Sequence, residues 1–152
     1  MRETLVTRWS ELGDKVVQLA EAVPESAYDG RPAPGVRSFA EQLRHVAFWN
    51  GYVRDVLRGA APDCEANELP AAAYPDKAAV VAALRDGFAG VRAEAAVRGR
   101  AALGGEEGGT LVSFLEHAGE HYGQMVVYAQ LAGVVPPTSR EDATVEADGA
   151  AA

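Results

Sequence analysis

Two of the three histidines in this 152-residue chain, His117 and His121, stand four residues apart within Leu111 to Leu131. The third, His45, lies in another stretch with the spacing of a helix. At 3.6 residues per turn, positions i and i+4 project side by side, so the paired imidazoles leave one helix face about one turn apart. Side chains so placed can grip one metal ion. A second helix that brings His45 to the same depth supplies a third nitrogen and leaves a coordination position for water or substrate, as in catalytic rather than structural zinc sites. The plainer alternative is three solvated or hydrogen-bonded histidines. Three imidazoles suit zinc, nickel, copper or iron, and zinc or nickel is the expectation. No fourth His or Cys stands nearby in sequence. The single cysteine, Cys64, lies in a Pro-flanked loop, cannot form an intramolecular disulfide and reads as an incidental thiol.

Four helical segments must position these residues, and no stretch reads convincingly as a strand. From Glu3 to Ala22, Leu5, Trp9, Leu12, Val16 and Leu19 recur at intervals of three and four, one buried stripe. Pro24, Gly30, Pro32, Pro34 and Gly35 then make Val23 to Arg37 a surface connection. Ser38 followed by Glu41 forms a capping box, so a second helix runs from about Ser38 to Arg58, with Gly59 closing it. Ala60 to Pro75 holds Pro62, Pro70 and Pro75 and is long enough to cross the end or side of a bundle. Asp76 to Val97 carries Val80, Leu84, Phe88 and Val91 on one face, although Gly87 and Gly90 weaken that helix by roughly 1 kcal/mol each. Gly99 to Gly109 reads as a flexible turn, with Thr110 as N-cap of a fourth helix that Gly133 and Pro136–Pro137 stop. Thr138 to Ala152 has no large apolar residue but Val145, and the expectation is a disordered acidic tail behind a single domain of residues 1–137.

Four amphipathic helices of about 20 residues make an all-α four-helix bundle roughly 30 Å long, whose core can host ligands from facing helices. A parallel pair puts His45 and His117 at a common depth of ~10 Å, and an antiparallel pair puts His45 at ~20 Å and His121 at ~16 Å. Either arrangement permits one site. Trp49 and Tyr52 follow His45 at four and seven, and Gln124 and Tyr128 follow His121 at three and seven, so all four are candidates for a pocket lining. Aromatic residues at such spacing also serve as ordinary core. Gln124, if it faces inward, needs a partner in a ligand, a metal-bound water or Tyr128. Glu41, one turn before His45, could orient that ring, although the capping box already occupies it. The segment from His117 to His121 also fits H-x-x-E-H, the inverted zinc-protease pattern. Glu120 points about 100° away from His121 on a helix, and only 31 residues follow, mostly turn and tail, which disfavours that reading.

Composition narrows the function classes. The formal charge is -8, the tail carries a net -3 of it, and the basic residues are scattered rather than arranged in a run or stripe. Nothing there neutralises successive phosphates, so nucleic acid is not an expected partner. The N-terminal stretch lacks the apolar core of a signal peptide, and no apolar run approaches a membrane span. The expectation is a soluble cytoplasmic protein without membrane association, acting on a small molecule.

The segments LRHVAFWNGYVRDVLRG and FLEHAGEHYGQMVVYAQLAGVVPP resemble the DinB-like family of four-helix bundles. The likeness spans residues from about 4 to 137 and rests on one histidine in the second helix, an H-x-x-x-H pair in the fourth, and the Gly-Val-Val-Pro-Pro ending. It implies an up-down-down-up bundle with a long crossover between helices two and three, often dimeric, and a divalent metal held by His45, His117 and His121. Some DinB-like relatives are thiol S-transferases or isomerases that use mycothiol, bacillithiol or glutathione. Others are described as metal-dependent hydrolases, and many have no established activity. The resemblance therefore implies a metal-dependent enzyme that activates a low-molecular-weight thiol for S-transfer. Hydrolysis, or a non-catalytic metal-binding or stress-response role, stands beside it. The nucleophile would be a metal-bound thiol or water, and no side chain is singled out as catalytic.

Overall fold

The computed structural model describes residues 2–98 and 105–140. Four long helices pack together: α1 (Arg2–Ala22), α2 (Phe39–Leu57), α3 (Lys77–Val97) and α4 (Glu106–Leu131). A short 3-10 turn, Glu25–Ala27, interrupts the first connection, and there is no strand among the described residues. None of the described helices is long and apolar enough to cross a membrane. Residues 99–104, in the Gly-rich connection, and 141–152, most of the acidic tail, lie outside the described residues. Residues 137–140 are helical, and the Thr138 and Tyr122 hydroxyls are 3.0 Å apart.

Local chemistry accounts for the helix ends. At α2 the Glu41 amide donates to Ser38 Oγ at 3.2 Å, and the Ser38 amide donates to Glu41 Oε2 at 2.8 Å, the reciprocal capping box. Gly59, at φ +83°, takes the left-handed conformation that closes the helix. The Asp76 side chain accepts from the Ala79 amide at 2.8 Å and caps α3. Helix α4 departs from the sequence expectation. It starts at Glu106 behind Gly105, four residues before Thr110, whose hydroxyl donates to the Glu106 carbonyl at 3.0 Å inside the helix. Glu106 and Glu107 in the first turn complement the positive end of the helix dipole, which offsets the helix cost of Gly108 and Gly109.

The apolar stripes expected for the first and third helices are turned inward, except that Leu12 is only partly buried against the core and Leu5 lies outside it. Trp9, Val16 and Leu19 of α1, Leu43, Val46, Val53 and Leu57 of α2, Val80, Leu84, Phe88 and Val91 of α3, and Leu111, Met125 and Ala129 of α4 form one buried core. Between α2 and α3 the side-chain neighbours step forward together: Asn50 faces Gly87, Arg54 faces Gly90, and Arg58 pairs with Glu94. Between α2 and α4 they step in opposite senses, from Phe39 against Tyr128, through Gln42 with Gln124, to Trp49 against Phe114. His45 therefore meets His117 and His121 midway along that contact.

Gly87 has a packing role that outweighs its poor helix propensity. A Cβ there would lie 2.8 Å from Asn50 Cβ, an atom carried directly on the α2 backbone. Gly119, in contrast, has nothing within 4 Å of its would-be Cβ. Gly87→Ala is expected to destabilise the fold by about 1–3 kcal/mol, because overpacking exceeds the ~1 kcal/mol propensity gain. Gly119→Ala is expected to stabilise it by up to ~1 kcal/mol. Urea unfolding midpoints of the two variants check both signs.

Candidate metal centre

His45 and His121 are buried, at 4% and 9% exposure, while His117 is half-buried. The three rings come together from α2 and α4, with centroids 4.5 to 5.1 Å apart. His117 Nε2 lies 3.1 Å from His45 Nε2 and 3.1 Å from His121 Nε2. The ligand atoms of all three lie within 4.8 Å of one another, a group that could hold a metal ion.

Hydrogen bonding at the far side of two rings decides which nitrogen carries the proton. His45 Nδ1 is 2.6 Å from the Asn67 carbonyl oxygen, which can only accept, so Nδ1 donates and the neutral ring presents its lone pair at Nε2. His121 Nδ1 donates to Gln42 Oε1 at 2.7 Å, and Gln42 Nε2 donates in turn to Gln124 Oε1 at 3.0 Å. Its Nε2 lone pair faces the same point. His117 Nδ1 has no hydrogen-bond partner among the described residues.

Two fixed acceptors thus face a third Nε2 at 3.1 Å on either side. A proton on that third nitrogen can bridge to one neighbour but not to both. A cation between them would engage all three lone pairs. Two nitrogens of a tetrahedral site with metal–nitrogen bonds of about 2.0–2.1 Å are ~3.3 Å apart, close to the spacing found. The donor set therefore fits a divalent transition metal, and backing hydrogen bonds of this kind orient metal-binding imidazoles.

Electrostatics keep the rings in the form a metal needs. Burial pushes His45 down to about 4, with smaller contributions in the same direction from Arg37 and His117. Burial, then the neighbouring His45 and His117, brings His121 to about 4 as well. His117 is also lowered, chiefly by burial, while Glu120 opposes the shift. All three are neutral at pH 7.

An aromatic group flanks the histidines. Trp49 lies 5.2 Å from Phe114 and 5.1 Å from Tyr52 between ring centroids, and His117 stands 5.7 Å from Phe114 and 6.0 Å from Trp49. Trp49 Nε1 donates to Asn67 Oδ1 at 3.0 Å. Trp49 and Tyr52 thus lie on the histidine side of α2, as their spacing from His45 predicts, with Phe114 an unanticipated neighbour. Gln124 is surface-exposed; its amide oxygen accepts from Gln42 at the edge of the centre, beside His121. Tyr128 lies apart from the triad. Its hydroxyl donates to the Arg37 carbonyl at 2.6 Å, its ring packs on Phe39, and it lines a different cleft with Gly30, Arg31 and Leu131.

Glu41 does not orient His45. Its carboxylate is held by the Ser38 amide and by Arg31, at 2.6 and 2.5 Å from the two guanidinium nitrogens, and the Arg31 bond keeps it below the usual carboxylate range. Asn67 takes the place expected for Glu41. Glu120 is exposed and has no hydrogen bond to a histidine. Gln42 was legible in principle, since it stands three residues before His45 on the same face. Asn67 was not, because a residue in an aperiodic loop carries no positional signal.

The sequence model of the DinB superfamily matches residues 8–125, and the chain belongs to that superfamily. No match is found among curated proteins.

Low pH should weaken the fold once metal is removed. Between about 4 and the ordinary value of 6.5, the unfolded chain binds protons at His45 and His121 that the folded chain refuses. Stability is therefore full above pH 6.5 and falls as pH drops toward 4, by at most about 1.4 kcal/mol per pH unit for each proton. Urea titrations in chelator at several pH values check this, and a flat profile would show that the rings are solvated.

Proposed function

We propose that this DinB-superfamily chain binds one divalent transition metal, zinc or nickel, through His45, His117 and His121, and uses it for S-transfer from a low-molecular-weight thiol to a small electrophile in the cytoplasm. The observation that carries the metal reading is the convergence of three Nε2 atoms, two of them with the proton held on the opposite nitrogen. Support for the catalytic part comes from the ligand count. The candidate cluster among the described residues has three members, all histidine, and three protein ligands are the number that leaves a coordination position for a reactant.

The reading includes an up-down-down-up four-helix bundle with a long crossover between α2 and α3. The contacts that step forward along α2 and α3, and backward along α2 and α4, support those directions. In this arrangement α2 and α4 supply every ligand and most of their immediate surroundings.

A divalent metal held there supplies Lewis acidity, which brings a thiol within reach of ionisation near neutral pH. The chain's own residues perform the rest. His45 and His121 stay neutral because burial disfavours their charged forms, so they donate lone pairs rather than compete as cations. Gln42 and Asn67 hold their Nδ1 protons and thereby the ring orientations. Trp49, Tyr52 and Phe114 exclude water on one side of His117 and present an apolar surface suited to the carbon portion of an electrophile. Thiol S-transfer is preferred to hydrolysis on the family likeness.

Protein purified without an affinity tag is expected to contain about one zinc or nickel per chain by elemental analysis, and His121→Ala to lose most of it. Saturating metal at about 1,000 times Kd should add ~4 kcal/mol of stability. The activity assay follows loss of an alkyl halide or epoxide, and of ester and amide substrates, with and without mycothiol, bacillithiol and glutathione. Thiol-dependent turnover that chelator abolishes and His45→Ala removes is the expected result. Thiol-independent turnover would replace S-transfer by hydrolysis, and inactivity of metal-loaded protein would leave a metal-binding module. A melting temperature indifferent to chelator, with no metal bound, would overturn the metal reading itself.

A further inference from the structure

Asn67 lies in the connection between α2 and α3, yet it touches α2 through both its backbone and its side chain. Its carbonyl accepts from His45 Nδ1 at 2.6 Å, and its Oδ1 accepts from Trp49 Nε1 at 3.0 Å. Those two partners are one helical turn apart on the same face, so a single loop residue spans them. Asn67 is also the one non-glycine residue with positive φ among the described residues, at 55°. Asparagine is among the few side chains that tolerate this left-handed conformation, and a β-branched residue does not. The next two residues fasten the loop at the same place. Glu68 Oε1 accepts from Arg44 Nε at 2.9 Å, Glu68 Oε2 lies 4.0 Å from Arg37 Nε, and the Leu69 amide donates to the Arg44 carbonyl at 3.4 Å.

We infer that Asn67 is the positioning residue of this centre: its left-handed backbone aims the carbonyl that fixes the His45 tautomer, while its side chain anchors the flanking Trp49. The extended backbone of an ordinary loop residue would turn that carbonyl away from α2. His45 would then lose the partner that keeps its proton on Nδ1 and could present a protonated Nε2 to the other two histidines. The long connection thereby acts as a third wall of the site, although neither it nor α3 supplies a ligand. The consequence for metal affinity rests on the proposed metal reading, whereas the consequence for the tautomer does not.

The test uses the full chain, with Asn67→Val to forbid the backbone conformation, Asn67→Gly to keep it without the side chain, and Asn67→Asp to keep both conformation and acceptor. In metal-free protein, long-range proton–nitrogen spectra should show His45 protonated at Nδ1 in the parent and in Asn67→Gly, and a mixture of tautomers in Asn67→Val. Zinc competition with a chromophoric chelator should find Asn67→Val weaker by about 10–100-fold and Asn67→Asp no weaker than the parent. In a Trp9→Phe background, Trp49 emission should shift to the red in Asn67→Gly but not in Asn67→Asp. That comparison stands even if Asn67→Val fails to fold. An unchanged His45 tautomer and parent-like zinc affinity in folded Asn67→Val would overturn the inference, as would unchanged Trp49 emission in Asn67→Gly for the side-chain anchor. Failure of the parent to bind either zinc or nickel, with the tautomer pattern as expected, would instead refute the metal reading and leave Asn67 its orienting role.

Discussion

Three imidazole nitrogens brought together from α2 and α4, two of them with lone pairs aimed at the third, are the constraint around which the molecule is arranged. Burial keeps His45 and His121 neutral, and their Nδ1 hydrogen bonds to Asn67 and Gln42 turn the opposite lone pairs toward His117. Without a cation, lone pairs that approach to 3.1 Å repel except where one proton intervenes. The surrounding structure must therefore hold this geometry by packing and by hydrogen bonds at the outer nitrogens, since the inner ones contribute little attraction of their own.

The packing supplies that support from both sides of α2. Toward α4, the contacts of Trp49 and Tyr52 with Phe114 set how close the histidine-bearing faces lie. Toward α3, Gly87 and Gly90 permit Asn50 and Arg54 to sit directly against the neighbouring backbone. Two glycines that weaken α3 as an isolated helix thus serve the position of α2, and with it His45. The connection from α2 to α3 completes the support by returning Asn67 to the His45 face.

The unequal treatment of the histidines has a functional sense within the proposed reading. His45 and His121 are buried and backed by hydrogen bonds, whereas His117 is half-buried and its Nδ1 has no such partner among the described residues. Two firmly held donors and one more loosely held donor beside an aromatic surface therefore make up the triad.

Periodicity and local chemistry determined much of this protein from sequence alone. The i,i+4 pair placed His117 and His121 on one face, apolar stripes marked α1 and α3, and Ser38 with Glu41 located the start of α2 because both partners of a capping box lie within one turn. The same locality explains the misplaced start of α4, where a Gly-rich segment has poor intrinsic propensity but an acidic first turn that the dipole favours. Only the tertiary structure decided which groups back the histidines. Glu41, one turn before His45, is captured by Arg31 and does not reach that ring, while Gln42 beside it backs His121 only because α4 brings that residue alongside. Asn67, 22 residues beyond His45, is recruited by the path of a loop that has no periodicity to read. Helix propensity, capping and face are properties of near neighbours in the chain. A hydrogen-bond partner supplied from a distant segment exists only after the chain has closed on itself.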